Sequence, residues 1–216
     1  MRYRKQGGKQ IGGVPMEIIW KRKDEFTLQP KMYTFPELFA MAALVSLLGF
    51  LVENMWMLTR SGFIDNRNMN LPFLLGYGIA VVGMYLVLGT PKKGHFLLYY
   101  SLVFLFVSLG EIALGFTVEE FCGFYYWDYT NLPMHLTRYT SFFTSLGFSA
   151  LITLFMYYCY EPIMSFVHRT MTPRRKRIAI ALFIALVVDM LYSFHIMREL
   201  GDVYKSWKIY VTLPIR

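Results

Sequence analysis

The stretch Glu111-Ile-Ala-Leu-Gly115-Phe-Thr-Val-Glu119, with Gly123-Phe-Tyr-Tyr-Trp-Asp-Tyr-Thr-Asn-Leu-Pro133 and Arg138 behind it, decides how this chain is read. Its first part closes an apolar helix, its middle is an aromatic loop, and Arg138 stands where the next apolar run begins. Spacings of four put Glu111, Gly115 and Glu119 on one helical face. A carboxylate at the centre of a lipid-embedded helix costs about 2.5–3.5 kcal/mol on insertion scales, so it persists only beside a proton, a cation or water. Two acids astride a glycine, a Trp-Asp-Tyr cluster and an arginine at one boundary point to a polar site.

Outward from this stretch the apolar residues fall into blocks of about 20, the length a bilayer requires. Five spans are predicted, over 35–58, 71–89, 96–116, 139–160 and 178–197. The fold class is therefore an all-α polytopic membrane bundle, with the aromatic loop between spans three and four. The chain has 216 residues, 56% hydrophobic, 17% charged and with mean hydropathy +0.39. Soluble domains carry about 25% charged residues. Three regions are expected: a basic N-terminal tail and juxtamembrane segment over 1–31, a transmembrane domain over 32–197, and a polar C-terminal tail over 198–216. No secretory signal is visible, so insertion would use the first span itself.

The net charge of +8 is unevenly spread. Lys and Arg crowd into residues 1–31 and 169–177, flanking apolar spans. That pattern fits anionic lipid and topology, and argues against nucleic acid as a partner. With a cytoplasmic N-terminus, inner segments hold fifteen Lys and Arg and outer segments seven, which favours that orientation in the cell membrane. Glu53, the loop containing Arg67, Glu119, the Trp-Asp-Tyr loop and Arg138 then share the outer side. Cys122 and Cys159 lie near opposite faces and are expected to be free thiols.

Several side chains carry the site. Glu53 sits about one turn inside the outer boundary, and either Glu53 or Glu111 could pair with Arg138. Trp127 and Tyr129 suit an aromatic belt, but a belt needs no acid in its middle. Asp128, with Asn131 and Pro133 beside it, reads as a rigid turn holding one carboxylate over a cavity mouth. Asp189 lies mid-span and needs a partner, its relation to Glu111 left open. No Cys/His pairing has metal-ligand spacing, and no cofactor fingerprint is present. No Walker loop occurs either, so any ATP would be bound by a separate polypeptide.

These motifs resemble those of a bacterial membrane family, the CmpB-like, type IV ABC-transporter permeases, to which the transmembrane protein 229 family is similar. The resemblance rests on Glu53, Asn66-Arg67, Pro72 and Gly76-Tyr77-Gly78. It continues through Glu111, Gly115, Glu119, Gly123, Trp127-Asp128-Tyr129-Thr130, Asn131-Leu132-Pro133 and Arg138, covering about residues 46–162. Leu114 stands where the family prefers Thr, Thr130 replaces Ser, and His135 takes a usual Asn position. The resemblance implies a transport-like role without naming a substrate.

The sequence thus predicts a permease-like protein whose outward-facing site would use Glu53, Arg67, Glu111, Glu119, Trp127, Asp128, Tyr129, Asn131 and Arg138. The site would bind a charged or zwitterionic solute or a lipid headgroup. Alternatives are a membrane-embedded enzyme acting on a lipid or isoprenoid, and a non-transporting adaptor; an enzyme has the weaker support. Five spans are few for a transport path, so a homodimer or a partner subunit such as an ATPase is expected. The Gly76–Gly83 face is a candidate interface.

Overall fold

The computed structural model describes residues 33–211, so the basic segment 1–31 and the last five residues lie outside it. Helix α1, Phe35–Ser61, opens on a capping box in which Thr34 and Glu37 bond each other's backbone, with Pro36 in the first turn. Gly62 ends it in the left-handed conformation. A three-residue strand follows, β1 (Phe63–Asp65), then an irregular stretch to Leu74. Helix α2 covers Leu75–Leu88 and α3 covers Phe96–Cys122. The motif loop then closes on a small ribbon of β2 (His135–Thr137) and β3 (Thr140–Ser141).

Helix α4 (Phe142–Phe155), a π-helical turn (Met156–Tyr160) and α5 (Glu161–Thr170) form one continuous rod, and α6 (Pro173–Leu200) completes the bundle. Strand β4 (Lys208–Tyr210) returns antiparallel to β1, Ile64 opposite Ile209. Four helices are long and apolar enough to cross a membrane: α1, α3, the α4–α5 rod and α6. The chain is an all-α polytopic membrane bundle. Its outward surface is apolar, with Leu97, Leu105, Phe116, Ile184 and Leu191 among the exposed side chains, as lipid contact requires.

Three of the predicted spans come out differently. The second span is a half-helix. Pro72 disfavours helical backbone at Leu71, and α2 starts only at Leu75. Its 14 residues reach roughly 21 Å, short of the ~30 Å hydrocarbon core. The preceding backbone is held at depth instead: the Leu74 amide donates to the Ser46 carbonyl at 3.0 Å, and the Leu71 amide to Asp189 at 3.0 Å. Ser46 and Asp189 both lie near the middle of their helices. Residues 66–74 therefore enter the bundle as an unwound segment, which lipid tolerates only where protein surrounds it, and α2 carries the chain on to the opposite face, where Tyr85 packs near Tyr33.

The fourth span was expected to stop at Glu161-Pro162, but the helix continues for another ten residues. Pro162 has no amide to donate to the carbonyl four residues back, and the helix widens into the π turn just before it rather than breaking. The third span likewise runs on to Cys122, so the motif loop begins later than its composition indicated.

The core lies between α1, α2, α3 and the π turn, where Met41, Met84, Val103, Met156, Tyr160 and Met164 are almost completely buried. Gly78 lies so close to the Ala42 carbonyl and Ser46 that a Cβ would collide with them. That part of the expected glycine interface is spent inside the chain. Pairing of β1 with β4 brings the C-terminal ends of α1 and α6 to one face, shared with the motif loop; it is called the motif face below. The cysteines are free, as expected.

Candidate functional site

The site begins with the turn after β1. Asp65 accepts the Arg67 amide at 2.9 Å, and Arg67 and Asn68 take φ values of 48° and 65°. This left-handed pair is sparsely populated for a residue such as Arg, and it aims the guanidinium back at α1. There Arg67 Nε donates to Glu53 Oε2 at 2.8 Å, and a second guanidinium nitrogen bonds the same oxygen. The other Glu53 oxygen accepts from the Tyr77 hydroxyl at 2.7 Å. Tyr77 reaches it because Gly49 leaves room for its ring; a Cβ there would stand 2.8 Å from ring carbons.

Asp65 anchors this corner. It is fully buried, and Lys205 Nζ donates to its second oxygen at 2.7 Å. Burial alone would push its pKa up. The Lys205 hydrogen bond, the Arg67 amide and the Arg67 charge outweigh burial and hold it below the usual carboxylate range. The Asp65 amide in turn donates to Asn54 at 2.8 Å. Asn66 donates to the Met69 carbonyl at 3.0 Å and to the Tyr204 carbonyl at 3.3 Å. The polar C-terminal segment is thus folded down onto the site.

Glu111 forms the second corner. Its Oε2 accepts from Thr140 and from Ser145, each at 2.8 Å. Below Ser145, the buried stripe of α4 continues through Ser149 and Thr153, whose hydroxyls have no partner among the described residues. Tyr129 feels both corners: burial first, then the charges of Glu111 and Glu53, push its phenol up to about 12. The motif face thus carries two polar corners, Glu53 with Arg67 and Tyr77, and Glu111 with Thr140 and Ser145.

A second layer covers it. The Trp127 indole donates to the Tyr139 carbonyl at 2.8 Å, and the Tyr129 amide donates to the Arg138 carbonyl at 2.8 Å. These bonds tie the motif loop to the ribbon. Tyr139 packs its ring against Gly115, where a Cβ would collide, and its hydroxyl bonds Glu119. Asp128 is exposed; the amide and hydroxyl of Thr130, then the Arg138 charge, hold its pKa below the usual range. Arg138 stands 3.6 Å from Asp128 and lies 3.9 Å over the Tyr125 ring, a cation–π contact.

The structure thus places Glu53 with Arg67, and Glu111 with Thr140 and Ser145, while Tyr129 feels the charge of both acids. Trp127, Asp128, Arg138 and Asn131 lie in the layer above, and Glu119 sits to one side on Tyr139. Arg138 pairs with neither Glu53 nor Glu111: its partner is Asp128, and the arginine on Glu53 is Arg67. Asp189 belongs to a different place, holding the amide of Leu71 in the unwound segment. Sequence reasoning missed Asp65, Lys205, Tyr77, Thr140 and Ser145. Only Tyr77 carried a signal, as a large polar ring between Gly76 and Gly78. Among the described residues no group of three or more His, Cys, Asp or Glu gathers to hold a metal ion.

Comparison with known proteins gives one finding. The model of a family described as "Putative ABC-transporter type IV" matches residues 40–194. That range contains α1 from its second turn, the unwound segment, the motif loop and most of α6, and so Glu53, Arg67, Tyr77, Glu111 and Tyr129. No curated protein and no solved structure matches the chain.

Proposed function

The chain belongs to this type IV ABC-transporter family, and from that premise we propose that the Glu53–Arg67–Tyr129–Glu111 cluster is the recognition site of a permease-like membrane protein. One observation carries the reading: an unwound segment inside the bundle, backbone that lipid tolerates only where protein surrounds it, presents Arg67 to Glu53. Broken backbone of this kind recurs where transporters coordinate substrate. A guanidinium with carboxylates on two sides suits a charged or zwitterionic solute, or a lipid headgroup carrying both signs. Arg67 and the Arg138–Tyr125 pair would meet the anionic part, and Glu111 the cationic part.

The buried hydroxyls of Ser145, Ser149 and Thr153 supply a polar lining inward from Glu111. The methionines Met41, Met84 and Met156 close the bundle beyond it. Passage would then require these helices to shift, and a separate ATPase subunit would supply the energy, since this chain contains no nucleotide-binding loop in its sequence. The excess of basic residues on the other face favours a cytoplasmic N-terminus and an outward-facing site in the cell membrane.

The experiment is a thermal-shift screen of charged and zwitterionic solutes and soluble headgroups on the purified protein, followed by liposome flux of any hit. At least one solute should raise Tm in the wild type, lose most of that effect with Arg67→Gln or Glu111→Gln, and cross the liposome membrane unaltered. Chemical conversion of the solute would favour an enzyme. A solute that binds the wild type and both variants equally would remove the cluster from recognition.

A further inference from the structure

The opposite face of the bundle carries a groove that the proposed site does not use. It lies between α1, α5 and α6, has a volume of about 480 Å³, and is lined by Ala40, Leu44, Leu47, Val167, Ile178 and Leu182, with Phe73 at its inner end and Arg175 at its mouth. Ala40 to Leu47 along α1, and Arg175 to Leu182 along α6, are each seven residues, or roughly 10 Å of helix. The groove therefore runs from the bundle's edge toward its middle, parallel to the helices.

Its mouth is strongly basic. Arg169, Arg174, Arg175, Lys176 and Arg177 lie within nine residues, and no acid stands in the first turn of α6. None of the five forms an ion pair among the described residues. The carboxylates nearby are already engaged, Glu37 with His168 at 2.9 Å and Glu161 with the Tyr33 hydroxyl at 2.8 Å. Arg175 is fixed in place by donating one guanidinium nitrogen to the Thr170 carbonyl at 2.7 Å, which leaves its other donors for a ligand.

A soluble anion would use the cations and leave the groove unfilled, and a neutral lipid would use the groove and leave the cations unpaired. An anionic amphiphile satisfies both. We propose that this groove holds one acyl chain of an anionic phospholipid, its phosphate on Arg175 and the cations flanking it. The innermost lining residue, Phe73, belongs to the unwound segment, so the lipid tail would brace the backbone that carries Arg67.

The test uses the full chain in nanodiscs of phosphatidylcholine, with or without phosphatidylglycerol, and counts retained lipids by native mass spectrometry. The wild type should keep one phosphatidylglycerol and melt higher in its presence. Arg174→Gln with Arg175→Gln should weaken retention roughly thirtyfold, from about 1 kcal/mol per cation. Ala40→Trp, which fills the mouth, should abolish it, and Leu44→Phe serves if that variant folds poorly. Lys208→Gln, in β4 on the motif face, should change retention little. Equal retention of phosphatidylcholine, an unchanged count in the Arg174/Arg175 variant, equal loss in the Lys208 variant, or indifference to groove filling would each overturn the proposal.

Discussion

Arg67 is held by three separate features: the Asp65 turn, its own left-handed backbone, and both donors on Glu53. Their coupling can be measured. Glu53→Gln and Arg67→Gln should each lower the detergent Tm, and the double variant should lose less than the sum of the two. The interaction energy should lie within about 0.5–3 kcal/mol. Strict additivity would mean that the two side chains do not act as a pair. Asp65 adds a pH signature. Its pKa is depressed in the folded state, so its contribution to stability is fully present above the ordinary value of 3.8 and is lost as pH falls through the lower, folded value. Acid titration should therefore release the C-terminal segment around Lys205, read by hydrogen exchange at Val211, whose amide donates to the Gly62 carbonyl. In Lys205→Met, exchange there should already be fast at neutral pH.

At the scale of elements, two positions decide whether the helices can carry the site. Gly115 lets Tyr139 lie on α3. Gly115→Leu should cost about 1–3 kcal/mol through overpacking and also displace Tyr139 from Glu119, seen as a lowered Tm. The unwound segment is held in part by Asp189. Asp189→Asn keeps an acceptor for the Leu71 amide and should change Tm little, whereas Asp189→Leu should lose about 1–3 kcal/mol. Equal Tm values in the two variants would show that this hydrogen bond does not hold the segment. The same elements show what the sequence could reveal. Hydropathy located the helices because each must be apolar all round in lipid. It could not tell a half-helix from a crossing one, because residues 71–74 are as apolar as a helix and only their hydrogen bonds differ. Glu161-Pro162 looked like an ending because a proline costs one hydrogen bond, and a π turn absorbs that cost locally.

For the molecule as a whole, the acids and arginines proposed for the site stand out in the sequence because polar groups interrupt apolar runs. Their pairing was not legible. Arg67 rather than Arg138 meets Glu53, since the left-handed turn after β1 brings that loop back onto α1. Lys205 reaches Asp65 across 140 residues through a C-terminal return that has no local signature. The central claim is that Glu53 and Glu111 share one polar cluster opening at the motif face. Single cysteines at positions 53, 111, 109 and 131, in a Cys122→Ser, Cys159→Ser background reconstituted with known sidedness, test it directly through labelling by a charged, membrane-impermeant thiol reagent. The account predicts that positions 53 and 111 label from the same side as the exposed loop position 131, far faster than the lipid-facing position 109. Labelling at 53 and 111 as slow as at 109, or from opposite sides, would contradict it.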